Sequence, residues 1–562
     1  MRRALLVLAA AVLAAAFFWL WRHLPPRHTE LPQPSWQASP NAVGAFHVHT
    51  NRSDGSGTPD EVAASAARAG LKFVIFTDHG DGTRPPDAPQ YRSGVLCLDG
   101  LEISTTDGHY IAVGLQQTPY PLGGEGRDVV DDVRRLGGFG VVAHPDSAKP
   151  TLRWYDWTAP FDGIEWLNAD SEWRDETRQR LRRALVDYPL RPVETLGSLL
   201  DRPDQTFARW DSLSQRRRVV ALAGADAHAR VGRQENEASG YRSGWFVRIP
   251  SYDVSFRTFA LRVTLARPFS GDATSDGAQL LAAIKSGHVY SAIDAIATPA
   301  ALDFSAMSQA GTAAEGDHLA AGGGAVTFSA RVNALTGGTI VLRKDGAVLT
   351  QHAVPALKYE SDGSDGAYRV EVYLSNSPGQ PQVPWIVSNP IYVHPAEWGR
   401  PFTPPTTDAI DRWPIGGPWH AEKDAGSTAQ VAAASGTSPI EFTYRLADGA
   451  KGGQYAALVV STGNALRGHE RLAFRARATR PMRISIQARR PTPGDRWQRS
   501  MYLDTTIGDI VVPFKDMKPV GVTSTFKFDP SQIDTLLFVA DTTNSLPGSE
   551  GKFWISDLHV EH

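Results

Sequence analysis

One cysteine in 562 residues, Cys97, excludes an intramolecular disulfide framework and leaves the redox compartment unspecified. It lies in the apolar run Val95-Leu96-Cys97-Leu98, which reads as a small buried side chain rather than a catalytic thiol. Neither charge sign is in excess: 57 Lys and Arg against 60 Asp and Glu give a net charge of −3. With no basic patch in view, a nucleic-acid role resting on bulk electrostatics is excluded. Repeats, coiled-coil heptads and low-complexity tracts are also absent. What remains is an ordinary globular composition, 42% hydrophobic, long enough for three or four domains of about 100–200 residues each.

Long apolar runs are scarce too, and the exception is the amino terminus. Met1-Arg2-Arg3 precedes eighteen uncharged residues, Ala4 to Trp21, ending Phe17-Phe18-Trp19-Leu20-Trp21. As a helix at 1.5 Å per residue this run spans about 27 Å, close to the hydrocarbon thickness of a bilayer. Ala14-Ala15-Ala16 offers a cleavage site, but the apolar stretch continues beyond it, so residues 1–23 are expected to be an uncleaved signal anchor. The leading arginines place the amino terminus in the cytoplasm and the body on the periplasmic or extracellular face. Residues 24–41, proline-rich and polar, are expected to form a tether.

Chemistry is concentrated between residues 42 and 298. Phe46-His47-Val48-His49-Thr50 sets two histidines at i and i+2 of a strand, a spacing that turns both to one face, and Asp54 follows in a glycine-rich loop. Phe73-Val74-Ile75-Phe76-Thr77-Asp78-His79 is a buried parallel strand ending in His79, with Asp78 expected to support a ligand rather than be one. Gly100-Leu101-Glu102-Ile103 places a carboxylate in an apolar strand, where an unpaired charge is expensive. His109 opens the next strand, His144 closes Val141-Val142-Ala143, and Asp226-Ala227-His228 closes Val220 to Ala225. Nearly all nine lie at or just past strand carboxyl ends, where parallel α/β folds assemble active sites. Thr58-Pro59-Asp60-Glu61 is a helix-capping box with Gly70 as the stop, and Gly287 ends a later helix in the same way.

These motifs, in this order over roughly residues 42–295, resemble the PHP (polymerase and histidinol phosphatase) superfamily of metal-dependent phosphoesterases. Gly100 to His109 and Pro384 to Val393 further resemble its carbaryl-hydrolase-like branch. The resemblance implies a distorted (β/α)7 barrel with three divalent ions, Zn, Mn or Fe. His47, His49, Glu102 and Asp226 would hold one ion. His109 and His144 would hold a second with Glu102 bridging, and Asp54, His79 and His228 a third. Where the superfamily often has histidine at the third position, this chain has Asp54, which a hard or borderline cation also accepts. The implied reaction is in-line attack of hydroxide, held by the trinuclear centre, on a phosphate ester. His79, His228 and Asp226 are the catalytic candidates. Arg84, Arg230 and Arg242 lie near the motifs and are candidates for phosphate binding, against the blander reading of salt-bridged surface arginines. His288 is expected to be structural. Hydrolysis of a carbamate or carboxyl ester on the same cluster is the alternative reaction.

Residues 170–217, charged and carrying interspersed tryptophans, are expected to form helices over the barrel mouth. From 299 to 396 short β-branched runs and the Asp345-Gly346 turn predict a small β-sandwich, and 397–419 a proline-rich linker. Residues 420–562 are again expected to be all-β and resemble the galactose-binding-like jelly roll of many carbohydrate-binding modules. There Trp497 and Tyr502 are read as core or rim, with sugar stacking as the sharper alternative. The whole reads as a multidomain chain, a PHP-type barrel followed by two all-β sandwiches. Its expected partners are a small phosphate ester, a membrane at the amino terminus and a glycan at the last sandwich, with a non-catalytic glycan-binding protein as the rival reading.

Overall fold

The computed structural model describes residues 18, 21–34, 36, 41–237, 240–395, 398, 412–432, 439–492, 494–521 and 523–562, with the side chains of 233–244 outside the described set. Most of the expected signal anchor, residues 1–23, and most of the 397–419 linker therefore fall outside the described residues. Among the described residues no helix is long and apolar enough to cross a membrane.

The first domain is built on β1 (Asn41–Val48), α1 (Pro59–Arg68), β2 (Phe73–Phe76), β3 (Val95–Thr105) and β4 (Gly108–Val113). It continues through α2 (Gly126–Arg135), β5 (Phe139–Val142), β6 (Gly163–Asn168), α3 (Ala169–Arg174) and β7 (Val220–Gly224). Strands β1, β2 and β3 pair in parallel, as do β5, β6 and β7, but β3–β4 and β4–β5 are antiparallel. The sheet curls until the segment after β7 meets β1, where Ala225 N donates to Phe46 O (2.8 Å) and His49 N to Ala227 O (3.1 Å). The expected count of seven β/α repeats is not reproduced. A β-hairpin replaces one crossover, and between β6 and β7 four helices cover residues 169–214.

Local signals explain the element ends. Thr58 Oγ1 accepts from Glu61 N (3.2 Å) while Thr58 N donates to Glu61 Oε2 (2.9 Å), closing the capping box of α1. Gly287, at φ +78°, ends the helix Ala273–Ser286 in the left-handed conformation that glycine adopts without cost. The core between sheet and helices is rich in large aromatics, with Phe46, Phe73, Tyr110, Trp154 and Trp166 buried.

Residues 299–395 form a four-stranded sheet packed on strands that extend the first domain's own sheet. Ile386–Ser388 pairs with Val289–Ala292, so the main sheet runs on without interruption. Phe328 stacks on Tyr368 at 4.3 Å between these layers. Residues 29–30, within the expected tether, pair in parallel with Ala297–Thr298 and lie against the body. His288, as expected, is held structurally, its Nε2 2.8 Å from Asp317 Oδ1. The last domain is two facing six-stranded sheets around Phe442, Phe474, Phe538 and Phe553. One of them includes β8 (Met482–Arg489) and β9 (Arg496–Leu503). Trp497 is in its core.

Candidate metal centre

The curl of the sheet brings all nine ligand-type side chains to one place. Glu102, on β3 and 1% exposed, lies at the middle. Its Oε1 faces His109 Nδ1 (2.8 Å) and His144 Nε2 (3.0 Å), and its Oε2 faces His49 Nε2 (3.1 Å), His79 Nδ1 (3.3 Å) and His47 Nε2 (3.4 Å). Asp226 Oδ1 lies 3.2 Å from His47 Nε2 and 3.4 Å from His49 Nε2. Asp54 gathers His49, His79 and His228 at 3.2–3.6 Å. Four overlapping groups have ligand atoms close enough to share an ion: His49/Asp54/His79/His228, His47/Glu102/His144, His47/His49/Asp226 and His79/Glu102/His109.

Convergence of His47 and His49 does not come from plain strand alternation. The β1–β2 pairing shifts register between Ala45 and Val48, and His47 has φ +62°. A bulge there re-aims the side chain, a common device beside functional sites. His144 (φ +29°) and Asp226 (φ +42°) are also left-handed. Such backbone costs about 1–3 kcal/mol per residue and persists where the surroundings over-determine it.

The donor set fits divalent cations. His47 Nε2 and His49 Nε2 are buried and make no hydrogen bond, although each faces two carboxylate oxygens. Burial opposes a charge on His47, but Asp226, Glu165 and Glu102 outweigh it and hold the imidazole well above its usual range. Burial likewise opposes protonation of His49, which the facing carboxylates of Asp226, Asp54 and Glu102 raise well above normal. Burial would push Glu102 up; His79, His47, His109 and His144 instead keep it well below the carboxylate range. Asp54 and Asp226 are lowered in the same way, against burial, by the surrounding histidines. In the bare cluster protons stand where cations would, since a cation near these oxygens favours the charged carboxylate too.

Supporting residues complete the site. Asp78 accepts from Thr50 N (2.8 Å), Thr50 Oγ1 (2.7 Å) and Ser53 Oγ (2.6 Å), which fixes the loop carrying Asp54. The sequence reading passed over Glu165 and Asn168. Glu165 Oε1 is 2.6 Å from His47 Nδ1, and its Oε2 accepts from His144 N (2.7 Å) and Asn168 Nδ2 (2.9 Å). Asn168 Nδ2 also reaches Asp226 Oδ2 (3.2 Å). A Cβ on Gly224 would lie 1.7 Å from Glu165 Oε1, so glycine makes room for that carboxylate. The signal was there: Glu165 is a charge inside an apolar strand, as Glu102 is.

The arginines separate. Arg84 is committed to Asp99 Oδ2 (2.6 Å) and Asp87. Arg230 packs over Phe246 (4.7 Å), reaches the Asp54 carbonyl (3.4 Å), and lines a cavity of about 310 Å³ together with Asp54, Asp226 and His228. The side chain of Arg242 is outside the described residues. Cys97 is buried, which pushes its thiol up to about 12 and leaves it inert.

No family model matches the chain, and no curated protein matches it. Among solved structures, the chain is similar to a two-domain protein of Bacteroides vulgatus ATCC 8482, described as containing a predicted PHP-like metal-dependent phosphoesterase. Identity is 13%, covering 65% of this chain and 99% of that one, with a TM-score of 0.28. It is also similar to the family 11 carbohydrate-binding module of a Clostridium thermocellum cellulosomal cellulase, at 16% identity over 27% of this chain and 95% of that one, with a TM-score of 0.23. Likenesses at these scores establish neither a shared fold nor a shared activity, and the functional reading stands on the site itself.

Proposed function

We propose that the chain is a metal-dependent hydrolase of phosphate esters, of the PHP type its motifs resemble. One observation carries the reading: nine ligand-type side chains converge on a buried site in which His47 Nε2 and His49 Nε2 have no hydrogen-bond partner. His47, His49 and Asp226 would hold one divalent ion, His109 and His144 a second, and Asp54, His79 and His228 a third, with Glu102 shared. Such ions supply positive charge for phosphate oxygens and acidify water to a pKa of about 7.

The chain's own residues set the rest. His79 and His228 are the most exposed members of the cluster, at 19% and 22%, so the phosphate enters and the leaving group departs on their side. Asp226, held ionised, serves as a ligand and not as a proton donor. Arg230, on the wall of the adjoining cavity, is placed to orient the anionic end. The arginine-led apolar run at residues 2–21 supports an exported, membrane-tethered body as part of the same proposal.

The test is phosphate release by the metal-loaded chain from a panel of phosphomonoesters and diesters, beside a His47→Ala/His49→Ala control. Turnover that the control lacks supports the reading. Phenol or amine release from unphosphorylated esters and carbamates, without phosphate release, moves the bond to the carbaryl-hydrolase-like alternative. No bound metal and no turnover, with glycan retained by the chain, leaves the binding-protein reading.

A further inference from the structure

The last domain grips the first through buried charge. On α2, Asp128 and Asp132 lie one turn apart and are each 1% exposed, and Glu125 just before the helix is 5% exposed. Arg483 of β8, itself buried, enters between them: its Nε is 2.6 Å from Asp132 Oδ2 and its Nη1 3.3 Å from Asp128 Oδ1. Its Nη2 donates to the Asp128 carbonyl at 3.1 Å. Arg499 of β9 bonds to Asp128 and lies 3.4 Å from Glu125 Oε2. The guanidinium of Arg135 packs 3.9 Å over Tyr502, committing that face of the ring to the contact between the domains. Breaking one partner of a buried pair costs about 3–5 kcal/mol, so this contact is not that of a loosely strung module.

The grip reaches the metal centre through the β3–β4 hairpin. Glu102 and His109 stand on its two strands, and its tip is Thr105 to Gly108. Lys518, at the edge of the last domain, lies 3.2 Å from Asp107 Oδ2 and 3.4 Å from Glu125 Oε2. Asp107 Oδ2 also accepts from Gly126 N at 2.8 Å, tying the tip to the start of α2. On the other flank Thr106 N donates to Gly124 O at 2.8 Å. That same loop is held by Asn544, whose Nδ2 donates to Pro121 O (3.0 Å) and Gly123 O (3.2 Å). Two separate parts of the last domain therefore fix a tip only two residues from His109.

We infer that the carboxyl-terminal sandwich is a brace for the metal centre: by holding the 105–108 tip it positions His109 and Glu102. Lys518 and Asn544 are positioning residues, acting through Asp107 and the 121–124 loop. The inference rests on the reading of His109 and Glu102 as metal ligands, but the docking itself does not.

Lys518 is 44% exposed, so its replacement leaves the sandwich core intact. The experiment compares the full-length wild type with Lys518→Glu, Lys518→Arg and Asn544→Ala. It measures amide hydrogen exchange at residues 104–110, and titrates each metal-free protein with cobalt(II), read by its visible spectrum. Lys518→Glu should raise exchange at the tip several-fold and weaken cobalt(II) binding about 10-fold, the scale for partners that support metal ligands, with an unchanged melting temperature. Lys518→Arg should restore both, and Asn544→Ala should raise exchange at the tip as well. Unchanged exchange and affinity in both Lys518→Glu and Asn544→Ala would overturn the brace. If the wild type binds no cobalt(II), the reading of the cluster fails, and exchange at the tip alone still decides the brace.

Discussion

Replacing Glu165 with glutamine exchanges one oxygen for an NH2 group and leaves the volume and shape of the side chain unchanged. In the native site both oxygens of Glu165 accept: Oε1 from His47 Nδ1, Oε2 from His144 N and Asn168 Nδ2. A glutamine cannot meet these three donors. If its oxygen faces His47, its NH2 opposes the His144 and Asn168 donors, and a clash of buried donors costs about 1–3 kcal/mol. If it flips, its NH2 donates to His47 Nδ1. The imidazole proton then moves to Nε2, the nitrogen that faces Glu102 and Asp226 and must be unprotonated to take a cation. Either orientation weakens metal binding, by about 10- to 100-fold on the scale for such supporting partners, or about 1.4–2.7 kcal/mol. Competition against chelators of graded strength, on wild type and Glu165→Gln side by side, measures this directly. Circular dichroism checks that the fold is kept. Affinities equal within twofold would refute the assignment of Glu165 as the residue that sets the His47 tautomer.

Gly224→Ala places a Cβ against the Glu165 carboxylate and should reproduce the metal loss of Glu165→Gln; combined with Glu165→Ala it should cost less than the sum of the two, read by the same competition. Without cations, His47, His49, His144 and His228 all have raised folded pKa values, so their contribution to stability is full below about 6.5 and fades as pH climbs through those values. Thermal melts of the chelated chain should therefore fall from pH 6 to 9, while the loaded chain should lose stability toward acid, because protons and cations compete for the same lone pairs. Glu125 is pushed up to about 7, first by burial and then by Asp128, so its contribution is complete below about 4.5 and lost by about pH 7. Glu125→Gln should accordingly flatten that slope, measured by urea unfolding at pH 5 and pH 8. Arg230→Ala should raise KM for a phosphate ester several-fold, and Arg84→Ala should leave it within twofold, since Arg84 is already spent on Asp99 and Asp87.

What could be read from sequence was whatever is encoded within a few residues. His47, His49, His79, His144, Asp226 and His228 each end or follow an apolar run, and the run itself reports the strand and its carboxyl end. The capping box at Thr58 and the stop at Gly287 are equally local. Pairing across hundreds of residues leaves no such trace. Nothing in Ile386-Val387-Ser388 announces that it joins the sheet of the first domain beside Val289–Ala292. Arg483 and Arg499 look like solvent-facing charges on an alternating strand, and only the partner aspartates of α2, some 350 residues earlier in sequence, make them interior. The expected repeat of strand and helix failed for the same reason: β3–β4 is a hairpin whose direction is set by the glycine turn at Gly108 (φ +111°), and strand direction is not visible in hydrophobic pattern.

The backbone of the cluster identifies it independently of motifs. Six imidazoles and four carboxylates crowd into a space where His47, His49, Glu102 and Glu165 are all but inaccessible to water. Three of its members, His47, His144 and Asp226, sit in a backbone region that non-glycine residues avoid. Neither feature helps the empty chain to fold: desolvating charged groups costs several kcal/mol per ion, and each left-handed residue adds about 1–3. Protonation of His47 and His49, whose pKa values are raised, offsets part of this but leaves His47 Nε2 and His49 Nε2 without hydrogen bonds. Divalent cations would satisfy those nitrogens and the carboxylates together, so their binding would return what the cluster costs. A structural ion pair would instead engage its imidazole nitrogen directly, as His288 Nε2 does with Asp317 Oδ1. That contrast within one chain is why the cluster is proposed as an ion site, while His288 is read as holding the fold.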